Sequence, residues 1–200
     1  MSSSTYYQLI VDASGSMAGS GPATITSMNE QIALVRRLAR EYTDEQFSLG
    51  IVDFSTDIRT LRDMSPIERI KDVSSKEYIT RDATALYDAV GSTVTGLDNL
   101  HESKKDNDQD SFVIVVITDG FENASRHYNF RALKSLLSKL EQTGKWEFRF
   151  IGADFLTENF TKSLGLQHAK SHHVSKSQMA DIHAYMDTEM SMFMKKKKGL

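Results

Sequence analysis

The run FVIVVI, Phe112 to Ile117, constrains the fold more than any other stretch of this chain. It is apolar on both faces. A strand of that kind has to be covered on both sides, as the central strand of a parallel sheet is by its flanking helices. It is bounded by the charged loop HESKKDNDQD before it and by Thr118-Asp119-Gly120 after it.

The rest of the chain supplies the neighbours. YYQLIV reads as a buried strand over roughly 5–11. In ITSMNEQIALVRRLAR, Ile25, Met28, Ile32, Val35 and Ala39 fall three or four apart, and Arg36, Arg37 and Arg40 lie off that stripe. This is an amphipathic helix. FSLGIVDFS is a second strand. DIRTLRDMS follows after too short a turn for a crossover, so it should pair antiparallel at an edge. Leu86, Val90, Val94 and Leu97 mark one helix, and Phe130, Leu133, Leu137 and Leu140 another. WEFRFIGA is again a strand, followed by a short helix near 156–163 and a short strand near 170–174. Ser175 to Gln178 can form a capping box. The last helix would bury Met179, Ile182, Met186, Met190 and Phe193, a methionine stripe of the core type.

Strands that alternate with helices predict an α/β, Rossmann-like three-layer sandwich. Its central sheet would be mostly parallel, of about six strands with one antiparallel edge strand, and helices would cover both faces. With no repeat or linker, a single domain over 1–194 is expected, and KKKKGL at 195–200 reads as a basic, disordered tail.

Composition narrows the function. The hydrophobic fraction of 40% and only two prolines allow a packed core. A net charge of −3 gives no general attraction to nucleic acid. The absence of cysteine removes disulfides, thiolate metal sites and cysteine nucleophiles, and suits a reducing compartment. MSSSTYYQLIVD lacks the basic region of a signal peptide. No apolar run approaches the ~20 residues of a membrane helix. A cytoplasmic protein with no membrane contact is expected.

Open α/β sheets bind ligands beyond the carboxyl ends of their strands, near the switch in strand order. Three loops fall there: Asp12-Ala13-Ser14-Gly15-Ser16, Arg81-Asp82-Ala83-Thr84, and Thr118-Asp119-Gly120. In extended backbone, side chains two apart point the same way, so Asp12, Ser14 and Ser16 can aim oxygens at one point. Asp119 would add a second carboxylate and Thr84 a third hydroxyl. Hard oxygens of this kind suit Mg²⁺ or Mn²⁺, with Ca²⁺ also admissible. Taken alone, DASGSM is more readily a polar turn and Thr84 a helix cap. Their joint position carries the metal reading.

DASGSM, RDATALYDAV and VIVVITDGFENAS, in that order, resemble the three motifs of von Willebrand factor A domains, the last one especially in intracellular bacterial and phage members. The resemblance spans nearly the whole chain. It implies a complete metal-ion-dependent adhesion site. Ser14 and Ser16 would be direct ligands, Thr84 a ligand directly or through water, and Asp12 and Asp119 would act largely through water and by holding the hydroxyls. A partner protein's Asp or Glu would supply the last ligand. Arg81, Asp82, Glu122, Asn123, Arg126 and Tyr128 would border the site in such a fold as a partner-binding rim, with ordinary loop polarity the equal alternative for them. Such a module binds and does not catalyse.

A phosphatase of the haloacid-dehalogenase type is the alternative enzyme. It needs a second Asp two residues after the first, where this chain has Ser14. A structural domain with an idle metal site is the other alternative. Asp53, at the end of the second strand, could support the site or merely end the strand, and the second reading is favoured. His168, His172 and His173 are read as surface residues, since strand neighbours face opposite ways.

Overall fold

The computed structural model describes residues 3–103, 109–152, 155–167, 169–173 and 181–199. The capping-box residues Ser175–Gln178, together with His168 and Met179, lie outside them.

Six strands form one sheet: β1 (Ser3–Asp12), β2 (Glu45–Phe54), β3 (Ile58–Pro66), β4 (Ser111–Ile117), β5 (Trp146–Gly152) and β6 (Lys170–His173). Their spatial order is β3-β2-β1-β4-β5-β6. All pairings are parallel except β2 with β3, the antiparallel edge hairpin. Five α-helices join them: α1 (Gly21–Glu41), α2 (Leu86–Ser103), α3 (Phe130–Gln142), α4 (Phe155–Leu164) and α5 (Asp181–Lys198).

The two-residue period of the strands sorts the core into two layers. Tyr7, Leu9 and Val11 of β1 and Val113, Val115 and Ile117 of β4 face α1 and α5. There they meet Met28, Ile32 and Val35, and Ile182, Met186, Met190 and Phe193. Ile10, Phe112, Ile114 and Val116 face the other way, toward Leu86, Val90 and Val94 of α2 and Leu133, Leu137 and Leu140 of α3. FVIVVI is therefore covered on both sides. The aromatic chain Tyr6–Phe112–Trp146 stacks across β1, β4 and β5, with centroids 5.0 and 4.1 Å apart.

The expectation of a disordered basic tail is corrected. Helix α5 continues through Lys198. The reason is an acidic socket at the amino end of the sheet. Lys197 Nζ donates to Glu45, to Thr5 Oγ1 at 3.0 Å and to the Ser4 carbonyl at 3.0 Å. Lys198 Nζ reaches Asp44 at 2.7 Å and Glu45 at 3.1 Å.

The chain winds outward from β1 to β2 and β3, then returns to the other side of β1 with β4. The switch in strand order thus lies between β1 and β4. In register Asp12 pairs with Phe54 and Val11 with Ile117, so three parallel strands end together at this edge.

Candidate metal centre

Asp12 is the last residue of β1 and is fully buried. Its two carboxylate oxygens are held separately. Oδ1 accepts from the Ser14 N–H at 2.7 Å, and Oδ2 accepts from the Thr118 hydroxyl at 2.7 Å. The Asp12 carbonyl accepts from the Tyr78 hydroxyl at 2.5 Å. The first loop then turns into a short 3₁₀ segment, Gly15–Ser20. This brings Ser14 Oγ and Ser16 Oγ within 3.0 Å of each other, and Ser16 Oγ donates to Asp119 Oδ1 at 2.6 Å.

Thr84 arrives from the second loop. Its position relative to the others is fixed by Gly120. A Cβ built on Gly120 would stand 3.0 Å from Thr84 Oγ1, 3.3 Å from Asp12 Oδ2 and 3.4 Å from Ser16 Oγ. Three oxygens, two from the first loop and one from the second, therefore surround one small space beside Gly120 of the third, which only a missing side chain leaves open. Asp12, Ser14 and Thr84 form its buried floor, Asp119 and Gly120 are half-buried, and Ser16 is exposed.

Backbone bonds lock the loops together. The Arg81 N–H donates to the Ala13 carbonyl at 2.6 Å, and the Gly15 N–H to the Asp82 carbonyl at 3.1 Å. The Asn123 N–H donates to the Thr84 carbonyl at 3.0 Å, while Asn123 Oδ1 accepts from the Thr84 N–H at 2.9 Å.

The electrostatics leave the cradle short of positive charge. Burial pushes the Asp12 carboxyl above its ordinary value, the Thr118 and Ser14 hydrogen bonds counter this, and the Asp119 charge adds to the rise. Arg81 does not relieve it. Its guanidinium turns to Asp53 at 3.0 Å and to Asp57 at 3.4 Å. Among the described residues no cluster of three or more His, Cys, Asp or Glu is placed to hold a metal. The cradle is instead two carboxylates with hydroxyls, all hard oxygen donors. That donor set, and the space a Gly120 Cβ would fill, fit a small divalent cation.

The predicted rim residues have differing surroundings. Asp82 and Arg126 are exposed. Glu122 accepts from the Tyr87 N–H at 2.9 Å and from the Ser125 hydroxyl at 2.6 Å, so it caps the start of α2. Tyr128 lies over Gly91, where a Cβ would meet its ring at 2.6 Å, and its hydroxyl pairs with Thr95 at 3.0 Å. Asn123 and Arg81 tie loops together, as above.

Residues not singled out as site-forming in the sequence also matter. Thr118 and Tyr78 fix Asp12, and Gly120 leaves the space. Asp53 does more than end β2. Fully buried, it accepts from Arg59 Nε at 3.0 Å and Nη2 at 2.5 Å, and from Arg81 Nη2 at 3.0 Å. It thereby anchors the threonine loop. Thr118 and Gly120 flank Asp119 in the sequence and were open to notice. The position of Asp53 at a strand end admits a supporting role, but its arginine partners lie outside any local motif.

A β-sheet with a hydroxyl-and-carboxylate cradle at its switch point defines a class of fold, and comparison with known proteins agrees with it. The sequence model of the von Willebrand factor type A domain matches residues 8–188, and the chain belongs to that family. No curated protein matches it in sequence. Among solved structures, the vWF domain of the type V pili tip protein Mfa5 from Porphyromonas gingivalis is similar, with TM-score 0.62 and 9% identity over 96% of both chains. A D319A mutant of the PilB minor pilin from Streptococcus sanguinis also gives TM-score 0.62, at 12% identity over 94% of this chain and 61% of the pilin. Proximal thread matrix protein 1 from the mussel byssus gives 0.59 at 16% identity, over 92% of this chain and 45% of that one. The chain thus spans about three-fifths of the pilin's length. At these identities the likeness is one of fold. Domains of the family commonly serve adhesion and protein–protein interaction.

Proposed function

We propose that the chain is a divalent-metal-dependent protein-binding module that recruits an acidic side chain of a partner. Asp12, Ser14, Ser16, Thr84 and Asp119 would hold Mg²⁺ or Mn²⁺, with Ca²⁺ as a third candidate. The bound cation would supply a positive, electrophilic position for a partner's Asp or Glu. The observation that carries this reading is the convergence of Thr84 Oγ1, Asp12 Oδ2 and Ser16 Oγ on the space beside Gly120, with Ser16 open to solvent. The residues of the chain do the positioning. Thr118 and the Ser14 N–H aim the Asp12 carboxylate, Asp119 orients the Ser16 hydroxyl, and Asn123 sets the height of Thr84.

We read the site as one for binding and not for catalysis. In a phosphatase of related architecture, the residue two after the first Asp is the acid/base. Here it is Ser14, whose Oγ lies 3.0 Å from that of Ser16 and cannot fill that role. A cytoplasmic setting is part of the same proposal and draws on the absence of cysteine. Among the described residues, no helix is long and apolar enough to cross a membrane.

Calorimetric titration of Mg²⁺ and Mn²⁺ into the wild type and Asp12→Ala, with thermal melting alongside, tests the site. Saturable binding that is lost in a still-folded variant is the expected result. A partner then captured only without chelator would complete the case. A partner retained regardless of chelator would overturn it, and a folded wild type that binds neither ion nor partner would indicate an idle site.

A further inference from the structure

Beside the cradle runs an open groove of about 980 Å³. Ala83 and Ala85, the neighbours of Thr84, line it, so it adjoins the candidate metal ligands. The tip of the β2–β3 hairpin, Thr56 to Ile58, lines it too. Ser125, Arg126 and His127 join them from the segment after β4.

Its charges are unevenly committed. The Asp57 carboxylate accepts from the Ser55 hydroxyl and ion-pairs with Arg81. Asp88 accepts from three successive backbone N–H groups, those of Arg126, His127 and Tyr128, at 2.7, 2.9 and 2.7 Å. Burial opposes this, but those three bonds hold its carboxyl below its ordinary value. The Asp88 bonds fix the backbone that carries Arg126 and His127, and both side chains are exposed. No ion pair among the described residues uses the Arg126 guanidinium. The available charge of the groove is therefore positive.

The apolar exposure is also concentrated. Five large hydrophobic residues are exposed among the described residues, and three of them, Ile58 at the start of β3 and Ile79 and Phe121 in loops, lie at this edge of the sheet. Phe121 is 65% exposed and directly follows Gly120. Small-molecule pockets are mostly apolar and enclosing. This groove is open and lined by polar and apolar residues together, Ile58 among them. That pattern suits a solvated polypeptide, whose charged anchor is flanked by apolar contacts.

We infer that the groove receives an extended segment of the partner protein. The segment carries the carboxylate offered to the metal, a second acidic residue within a few positions that meets Arg126, and an apolar residue that covers Phe121 or Ile58. The inference rests on the metal-dependent binding reading above and adds the sequence character of the partner.

The test is selection from a displayed library of short peptides with one fixed central Asp and random flanks, in Mg²⁺, against the full chain. Wild type should enrich a second acidic residue on one side of the fixed Asp, together with an apolar residue, by about tenfold over the unselected library. Arg126→Glu, checked for folding by thermal melting, should abolish the acidic preference and favour a basic residue there. Ile58→Ser and Phe121→Ser should weaken the apolar preference. Leu100→Ser, an exposed apolar change on α2, should select as the wild type does. Identical enrichment by wild type and Arg126→Glu would overturn the groove assignment, and so would no enrichment at all. The metal reading fails separately: enrichment that survives chelator and Asp12→Ala would remove the cation while leaving the Arg126 comparison to judge the groove.

Discussion

Gly120 is required by what surrounds it. The described glycines with positive φ are Gly144, Gly165 and Gly199, so backbone angle does not explain residue 120. Its missing Cβ does, because that atom would occupy the space between Thr84 Oγ1, Asp12 Oδ2 and Ser16 Oγ. Gly120→Ala should fold, with a melting temperature close to wild type, and should lose at least tenfold in Mg²⁺ affinity, or about 1.4 kcal/mol. Calorimetry and melting on the same sample separate the two effects, and unchanged affinity would place the cation elsewhere. Asp53 makes the contrasting case. Removing its carboxylate leaves Arg59 and Arg81 without their buried acceptor, so Asp53→Ala should cost about 2–3 kcal/mol and lower the melting temperature by roughly 5–10 °C. It should also weaken metal binding, because Arg81 belongs to the loop that presents Thr84. At this scale the sequence was informative where spacing is local. Asp12, Ser14 and Ser16 alternate in the sequence, and although the backbone turns into a 3₁₀ segment at Gly15 instead of staying extended, the structure sets Ser14 against Ser16 and Ser16 against Asp119. The supporting reading of Asp53 could not be favoured from sequence, because its partners come from positions 59 and 81, a relation that no short window encodes. Glu122 and Asn123 look like ordinary loop polarity for the same reason, although each closes a bond to the segment around Thr84 or the start of α2.

Among the elements, periodicity made the helices and strands legible, and the end of α5 shows its limit. Four consecutive lysines resemble a solvated end when read locally. Their acceptors, Glu45 and Asp44, precede β2 or begin it and lie far away in sequence. The Glu45 side chain is fully buried, and that of Lys197 is 11% exposed. Burial acts against both charges. It pulls the Lys197 ammonium below its usual value despite the pairing, whereas on Glu45 the bonds from Lys197 and Thr5 outweigh it and hold the carboxyl below normal. The contribution of the pair is therefore best read on the acid side. A carboxyl lowered in the folded state gives stability that is present above its unfolded value of ~4.3, and that stability is lost as pH falls through the folded value. Lys197→Met takes from a buried carboxylate its principal cation and leaves it Thr5, Ser3 and Lys198, at a cost of about 2–4 kcal/mol near neutrality. The difference between wild type and variant should shrink below pH 4. Melting curves over a pH series check both the size and the trend, and a variant as stable as wild type at pH 7 would return these lysines to solvent.

The whole molecule decides why the site exists at all. Alternating strands and helices announced the sheet, and its order follows from one reversal, after β3, that puts β4 on the far side of β1. The register, which sets Asp12 level with the end of β4, was not legible, because pairing between strands a hundred residues apart is fixed by packing on both faces. Its consequence is that the cradle draws on three segments, after β1, before α2 and after β4, which meet at this edge. A cation held there would bind the folded state and have no comparable site in the unfolded chain. Folding and binding are then linked, and at a free Mg²⁺ concentration 100 times the dissociation constant the folded state gains ~2.7 kcal/mol. For a chain of this size the melting temperature should rise by roughly 5–10 °C. Chelator should reverse the rise, and Asp12→Ala and Ser16→Ala should show little of it. The distribution of the effect is as informative as its size. If the ion ties the three segments together, amide exchange should slow in all three loops when Mg²⁺ is added. Protection confined to the first loop would mean that Asp12 and the serines bind the ion alone, and that Thr84 and Asp119 only frame the site.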